Sequence, residues 1–160
     1  MFQIFKNKQE KQFTILQQVE EYLTAKEFHF RYLESKPVIR FGLRGENGKW
    51  DTYVSANESQ TVLTIQIVLP FTVSDSKKLK IVDLLNRINC QLGFGKLCMD
   101  NEDGDITYMV SHLCTGKHLA PEDADILFRK SFNTIDELLP VITTVCFGDA
   151  EPSLAIQQFQ

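Results

Sequence analysis

The chain has no long apolar run. Its longest, Val62 to Phe71, is broken by Thr64 and Gln66, far short of the ~20 apolar residues that cross a bilayer as a helix. The N-terminus lacks a continuous apolar stretch and turns charged by Lys6, Lys8 and Lys11, unlike a secretory signal. There is no excess of positive charge: 17 Lys and Arg stand against 21 Asp and Glu, a formal net charge of -4. Such a chain is repelled by phosphate backbones unless its basic residues cluster. The loose groups Lys6, Lys8, Lys11 and Lys77, Lys78, Lys80 read as solvated faces near helix starts. Nucleic acid and membrane are therefore not expected partners. Cysteine is sparse, with Cys90, Cys98, Cys114 and Cys146 spread through core-forming segments. Buried free thiols in a reducing cytoplasm are expected, not a disulfide framework.

Catalytic signatures are equally scarce. No Gly-x-Ser-x-Gly elbow occurs, which removes the common serine-hydrolase arrangement. Gly93-Phe94-Gly95-Lys96 lacks the leading glycine and trailing hydroxyl of a phosphate-binding loop. It reads as a helix stop followed by a strand start. The acidic run Asp100-Asn101-Glu102-Asp103-Gly104-Asp105 invites a calcium reading, but setting Gly104 at loop position six leaves Met99 and Val110 at the two end positions, where carboxylates are required. The register fails. His112, Cys114 and His118 offer metal-type ligands without the paired Cys-x2-Cys spacing of a structural zinc site. They also supply a thiol and a base, though in no recognised nucleophile turn. No cofactor is expected. Arg31, Arg40 and Arg44 share one face of neighbouring strands; they could hold an anion, but solubilising an open sheet is the simpler role.

What is present is the patterning of one ordinary domain. At 160 residues, 43% apolar and 24% charged, the chain is long enough to bury a core without staples. Phe13, Leu16, Val19, Tyr22 and Leu23 recur at helical spacing and predict an amphipathic helix over about residues 6–26. Alternation then predicts four strands: Phe28 to Tyr32; Ile39, Phe41, Leu43; Trp50, Thr52, Val54; and Leu63, Ile65, Ile67, Leu69, the last ended by Pro70. Asn47-Gly48 predicts a positive-φ turn between the second and third. Ser74 is placed to cap a second helix running to Gln91. A hairpin of 95–99 with 106–113 follows, then a third helix opened by Pro121 and kinked or interrupted by Pro140. The order is α-β-β-β-β-α-β-β-α, an α+β fold with residues 1–148 as one domain and 149–160 as a tail in which Leu154, Ile156 and Phe159 have apolar surface to dock.

The second helix carries two stripes. Ile81, Leu84, Leu85, Ile88 and Leu92 suffice to face the sheet, while Leu79, Val82, Asn86 and Asn89 form another. A helix apolar on more than one side is usually covered on more than one side, by another helix of the chain or by another subunit. The asparagines fit two roles, register-setting bonds in a dimer interface or satisfaction of buried backbone at a sheet edge.

Leu84-Leu85-Asn86-Arg87-Ile88-Asn89, Gly95-Lys96-Leu97-Cys98-Met99-Asp100, the Glu102-Asp103-Gly104 turn, Pro121-Glu122-Asp123 and Leu139-Pro140 together resemble the signature of YbjN-like proteins over about residues 70–145. That resemblance implies a type III secretion chaperone-like fold, three helices on a twisted antiparallel sheet, commonly dimeric. It also implies a regulatory role by protein binding and carries over no catalytic residue. The expectation is a cytoplasmic, non-enzymatic homodimer meeting an unidentified protein partner, with Leu79, Val82, Asn86 and Asn89 as candidate interface. The alternative is a small-molecule or metal-binding protein, or an enzyme, using the His112, Cys114, His118 region.

Overall fold

The computed structural model describes residues 13–159, with side chains to residue 157. Helix α1 (Ile15–Ala25) begins at a reciprocal cap. Thr14 Oγ1 accepts the Gln17 N–H at 3.1 Å and Gln17 Oε1 accepts the Thr14 N–H at 2.9 Å. Glu58, arriving from a distant turn, accepts the Ile15 N–H at 2.9 Å. These contacts start the helix later than its apolar spacing predicts; residues 6–12 of the predicted span lie outside the described residues. Ile15, Leu16, Val19 and Leu23 are buried, as the amphipathic pattern requires.

Among the described residues, six antiparallel strands form one sheet in the order β1-β2-β3-β4-β6-β5. They are β1 (Arg31–Leu33), β2 (Lys36–Arg44), β3 (Lys49–Asn57), β4 (Val62–Thr72), β5 (Lys96–Met99) and β6 (Asp105–Leu113). β1 is shorter than the predicted Phe28–Tyr32 strand. Alternation puts Ile39 and Phe41, Trp50, Thr52 and Val54, and Leu63 to Leu69 on one buried face. Among the described residues, no helix packs on the opposite face. β4 continues past Pro70 instead of ending there, because its pairing with β6 shifts between Val68 and Thr72. A bulge is where a residue without an N–H costs no ladder bond.

Helix α2 (Lys78–Gln91) lies on the buried face against β5. Ser74 stands ahead of a 3-10 turn (Asp75–Lys77) that precedes α2, and its hydroxyl bonds Ser76 rather than capping backbone. The lysines expected to form a solvated face are fasteners. Lys78 Nζ donates to the Asn101 carbonyl at 2.7 Å, pinning the β5–β6 hairpin tip. Lys80 pairs with Glu151 at 2.6 Å, and Lys77 donates to the Gly148 carbonyl. These bonds hold the short helix α4 (Pro152–Ala155) against α2, where Pro152, Ala155 and Ile156 are buried.

Helix α3 (Pro121–Cys146) passes through Pro140 without interruption. Proline cannot donate to the carbonyl four residues earlier, that of Asp136. Asn47 Nδ2, from the β2–β3 turn, donates to that carbonyl at 3.0 Å. The Asp136 carboxylate in turn accepts the Glu46 and Asn47 N–H groups at 3.0 and 2.9 Å. Neither Asn47 nor Gly48 has a positive φ, contrary to the hairpin expectation. Here crowding favours glycine: a Cβ on Gly48 would stand 2.2 Å from the Leu139 side chain, and one on Gly45 the same distance from that of Asp136, so either side chain would have to move. The turn is shaped by the helix it touches.

Tyr22 of α1 stacks on Phe128 of α3 at 5.2 Å and 7°, closing the helical layer. Cys114 and Cys146 are buried, but Cys90 and Cys98 are exposed, against expectation. Cys90 lies on the outer side of α2, and Cys98 alternates with inward Leu97 on β5.

Candidate partner-binding surfaces

Of the second stripe on α2, three residues remain uncovered and one is engaged. Leu79 is 85% exposed and Val82 46%, while α4 packs elsewhere on the helix. Asn86 is exposed. Asn89 instead bonds both backbone groups of Leu97: it accepts the N–H at 2.8 Å and donates to the carbonyl at 2.9 Å. Leu97 pairs with Tyr108 across β5–β6, and β5 is the last strand of the sheet. Asn89 therefore serves as a side-chain substitute for a neighbouring strand. An unpaired edge is a template for another chain's strand, and here Asn89 blocks that template at Leu97.

His112, Cys114 and His118 differ in setting. His112 is half-buried, Cys114 fully buried just past the end of β6, and His118 exposed. Burial pushes the Cys114 thiol up from its ordinary pKa, with nearby Glu58 and Asp123 adding to the effect. An activated nucleophile needs the opposite shift. Among the described residues, no three His, Cys, Asp or Glu side chains gather as a metal site. At the acidic hairpin tip, Asp100 Oδ1 accepts the Glu102 and Asp103 N–H groups at 2.7 and 3.3 Å.

The predicted arginines are only partly grouped. Arg31 and Arg40 are cross-strand neighbours. Arg40 is committed to Asp51 at 2.7 Å and lies over the Tyr53 ring, whereas Arg44 is exposed at the strand end.

The sequence did not point to a groove of about 940 Å³ between α1 and the start of α3, lined by Tyr22, Ala25, Lys117, Leu119, Glu122 and Ile126 among others. Its loop wall is held from α1 by Gln18, which donates to the Lys117 carbonyl at 2.8 Å and accepts the Leu119 N–H at 2.9 Å. Lys117 sits at φ 60°, a conformation costly for a residue with a Cβ. At the α1 side, Lys26 pairs with Asp125 at 2.8 Å and holds that carboxyl below its usual range. The Tyr22 hydroxyl, desolvated and facing Asp125, is pushed up to about 12. The partners in this groove lie about a hundred residues apart in sequence, so no local pattern announces it.

The family model described as "putative bacterial sensory transduction regulator" matches residues 16–143. The chain belongs to the YbjN family. The solved structure of YbjN from E. coli, described as "a putative transcription regulator", superposes with a TM-score of 0.61 at 14% identity, covering 78% of this chain and 87% of that one. At that identity the likeness establishes the fold, and it agrees with the helix and strand order read from the sequence. Comparison with curated proteins gives no match. Family membership thus supplies a regulator description and no reaction. No helix among the described residues is long and apolar enough to cross a membrane.

Proposed function

We propose that this family member is a non-enzymatic, cytoplasmic protein-binding module, regulatory or chaperone-like, that works as a homodimer. The observation carrying the protein-binding part of this reading is Leu79 with Val82: two apolar side chains left in solvent on a helix whose opposite side is buried. Covering a leucine of this kind is worth about 1.5–3 kcal/mol to a partner, and Asn86 beside it offers a hydrogen bond. A regulator needs such a surface; a catalyst would need converging titratable groups, and the buried, up-shifted Cys114 thiol is a poor start for one.

The test is affinity purification of the full chain from its native cell alongside Leu79→Glu and Val82→Glu, with masses by light scattering. The reading expects a stoichiometric protein partner on the wild type, lost from both variants while their thermal midpoints stay unchanged. A partner retained equally by all three would remove this stripe from the interface. A bare monomer throughout would refute both the partner and the dimer.

A further inference from the structure

The open face of the sheet has an unusual distribution of charge. No outward position from Val62 to Pro70 on β4, or from Thr107 to Leu113 on β6, is charged. The middle of the face is Thr64, Gln66 and Val68 on β4, flanked by Tyr53 on β3 and by Thr107 and Met109 on β6. Charge appears at its sides: Asp51 on β3 beside Val68, paired with Arg40 on β2 beyond Tyr53, and Lys96 on β5 beside Met109. An antiparallel sheet can face water on one side, but a face meant only for water usually mixes charge across its centre. A charge-free centre containing Tyr and Met inside a charged rim is the composition of an interface core. Leu113, 65% exposed, extends the patch at one end.

Size decides between this face and the α2 stripe as the seat of a dimer. Four strands of at least seven residues, flanked by β1 with three and β5 with four, at about 4.8 Å between strands and about 3.4 Å per residue give a face of roughly 570 Å². Two copies then cover about 1,100 Å², above the ~1,000 Å² that marks a biological interface and at the reversible, weaker end of the range. The stretch from Leu79 to Asn86 is only about 11 Å long at 1.5 Å per residue. One helix width of it covers about a fifth as much. The β5 edge, four residues long and occupied at Leu97 by Asn89, is a poor template for sheet extension.

We propose that the open sheet face is covered by the same face of a second copy of this chain, two sheets stacking through Gln66, Met109 and their neighbours. This rests on the homodimer reading above and names its surface, leaving Leu79 and Val82 free for a different protein.

Two native thiols report on it. Cys98 belongs to the open sheet face and Cys90 to the outer side of α2, and both are exposed in the single chain. Full-length protein is labelled with iodoacetamide at concentrations spanning the monomer–dimer transition followed by light scattering, with each site quantified by mass spectrometry. In the dimer, Cys98 labelling slows about tenfold or more while Cys90 keeps its monomer rate. The double variant Thr64→Glu/Gln66→Glu, whose side chains point away from the core, keeps the wild-type circular dichroism. Its dimer Kd rises about 100-fold or more as like charges meet. A wild-type dimer with Cys90 protected and Cys98 free overturns the proposal and leaves the homodimer reading standing. A wild type that stays monomeric to about 1 mM, a concentration at which only trivially weak association remains undetected, overturns both.

Discussion

Replacing Asn47 by alanine should destabilise the protein only as long as Pro140 is present. In the wild type, the Asp136 carbonyl has lost its helical donor to proline and takes the Asn47 amide at 3.0 Å instead. Removing that amide forfeits one hydrogen bond, and the exposure of the site to water keeps the cost at about 1 kcal/mol. Pro140→Ala restores an N–H that reaches the same carbonyl within α3. It should itself stabilise, by up to the ~3 kcal/mol that separates proline from alanine in a helix interior, less whatever the present packing has already accommodated. In that background, Asn47→Ala should cost a few tenths of a kcal/mol at most. The predicted coupling is thus about 0.5–1 kcal/mol, within the range for residues sharing one partner. Urea unfolding of the four proteins, followed by far-UV circular dichroism, measures it, with m-values required to agree. If the two substitutions add within about 0.3 kcal/mol, the amide is not replacing the proline's missing donor, and the account of why α3 survives Pro140 is wrong.

Asn89→Ala removes both bonds to Leu97, which is 2% exposed, and should cost about 2 kcal/mol; an unchanged urea midpoint would contradict its role at the strand edge. Glu58→Ala takes an acceptor from the first turn of α1 and should lower stability by about 1 kcal/mol. A smaller loss than for Thr14→Ala, in the same unfolding assay, would rank it behind the local cap. Tyr22 and Tyr32 ionise near 12 in the folded chain, chiefly because burial disfavours the phenolate, and the unfolded value is near 10. The folded form therefore binds the proton more tightly, so their stabilisation is complete below pH 10 and is lost as the pH rises from 10 through 12. Absorbance titration near 295 nm should show both ionising late in the native protein and early in urea; coincident titrations would refute the shift.

The parts of the fold written in short-range periodicity were legible. Leu63, Ile65, Ile67 and Leu69 alternate, and each is buried on the face assigned to it; the stripe Ile81, Leu84, Leu85, Ile88 repeats at helical spacing and packs inward. What was misread depends on partners distant in sequence. Asn47-Gly48 carries a hairpin signal, but Asp136, 89 residues away, sets the turn's conformation. Pro70 signals the end of a strand only until β6 offers a shifted register that accommodates it. The candidate surface was half legible. An apolar surplus on α2 could be counted, but that Asn89 would turn to Leu97 while Leu79 stayed in water depended on where β5 ended. The α1–α3 groove, whose walls meet through Gln18 and residues beyond 115, was not legible at all.

The bond from Asn89 to Leu97 ties the integrity of one helix to the safety of the whole molecule against misassembly. A strand end sealed by a neighbouring strand stays sealed while the sheet lasts, but this one is sealed by a side chain of α2 and opens whenever α2 lifts away. The other margin of the sheet, β1, is only three residues long and offers little purchase for templated growth. Fibrillar aggregation should therefore begin from states in which α2 has frayed while the sheet is still standing. A protein that grips Leu79 and Val82 would, by holding that helix down, also protect this family member from self-polymerisation.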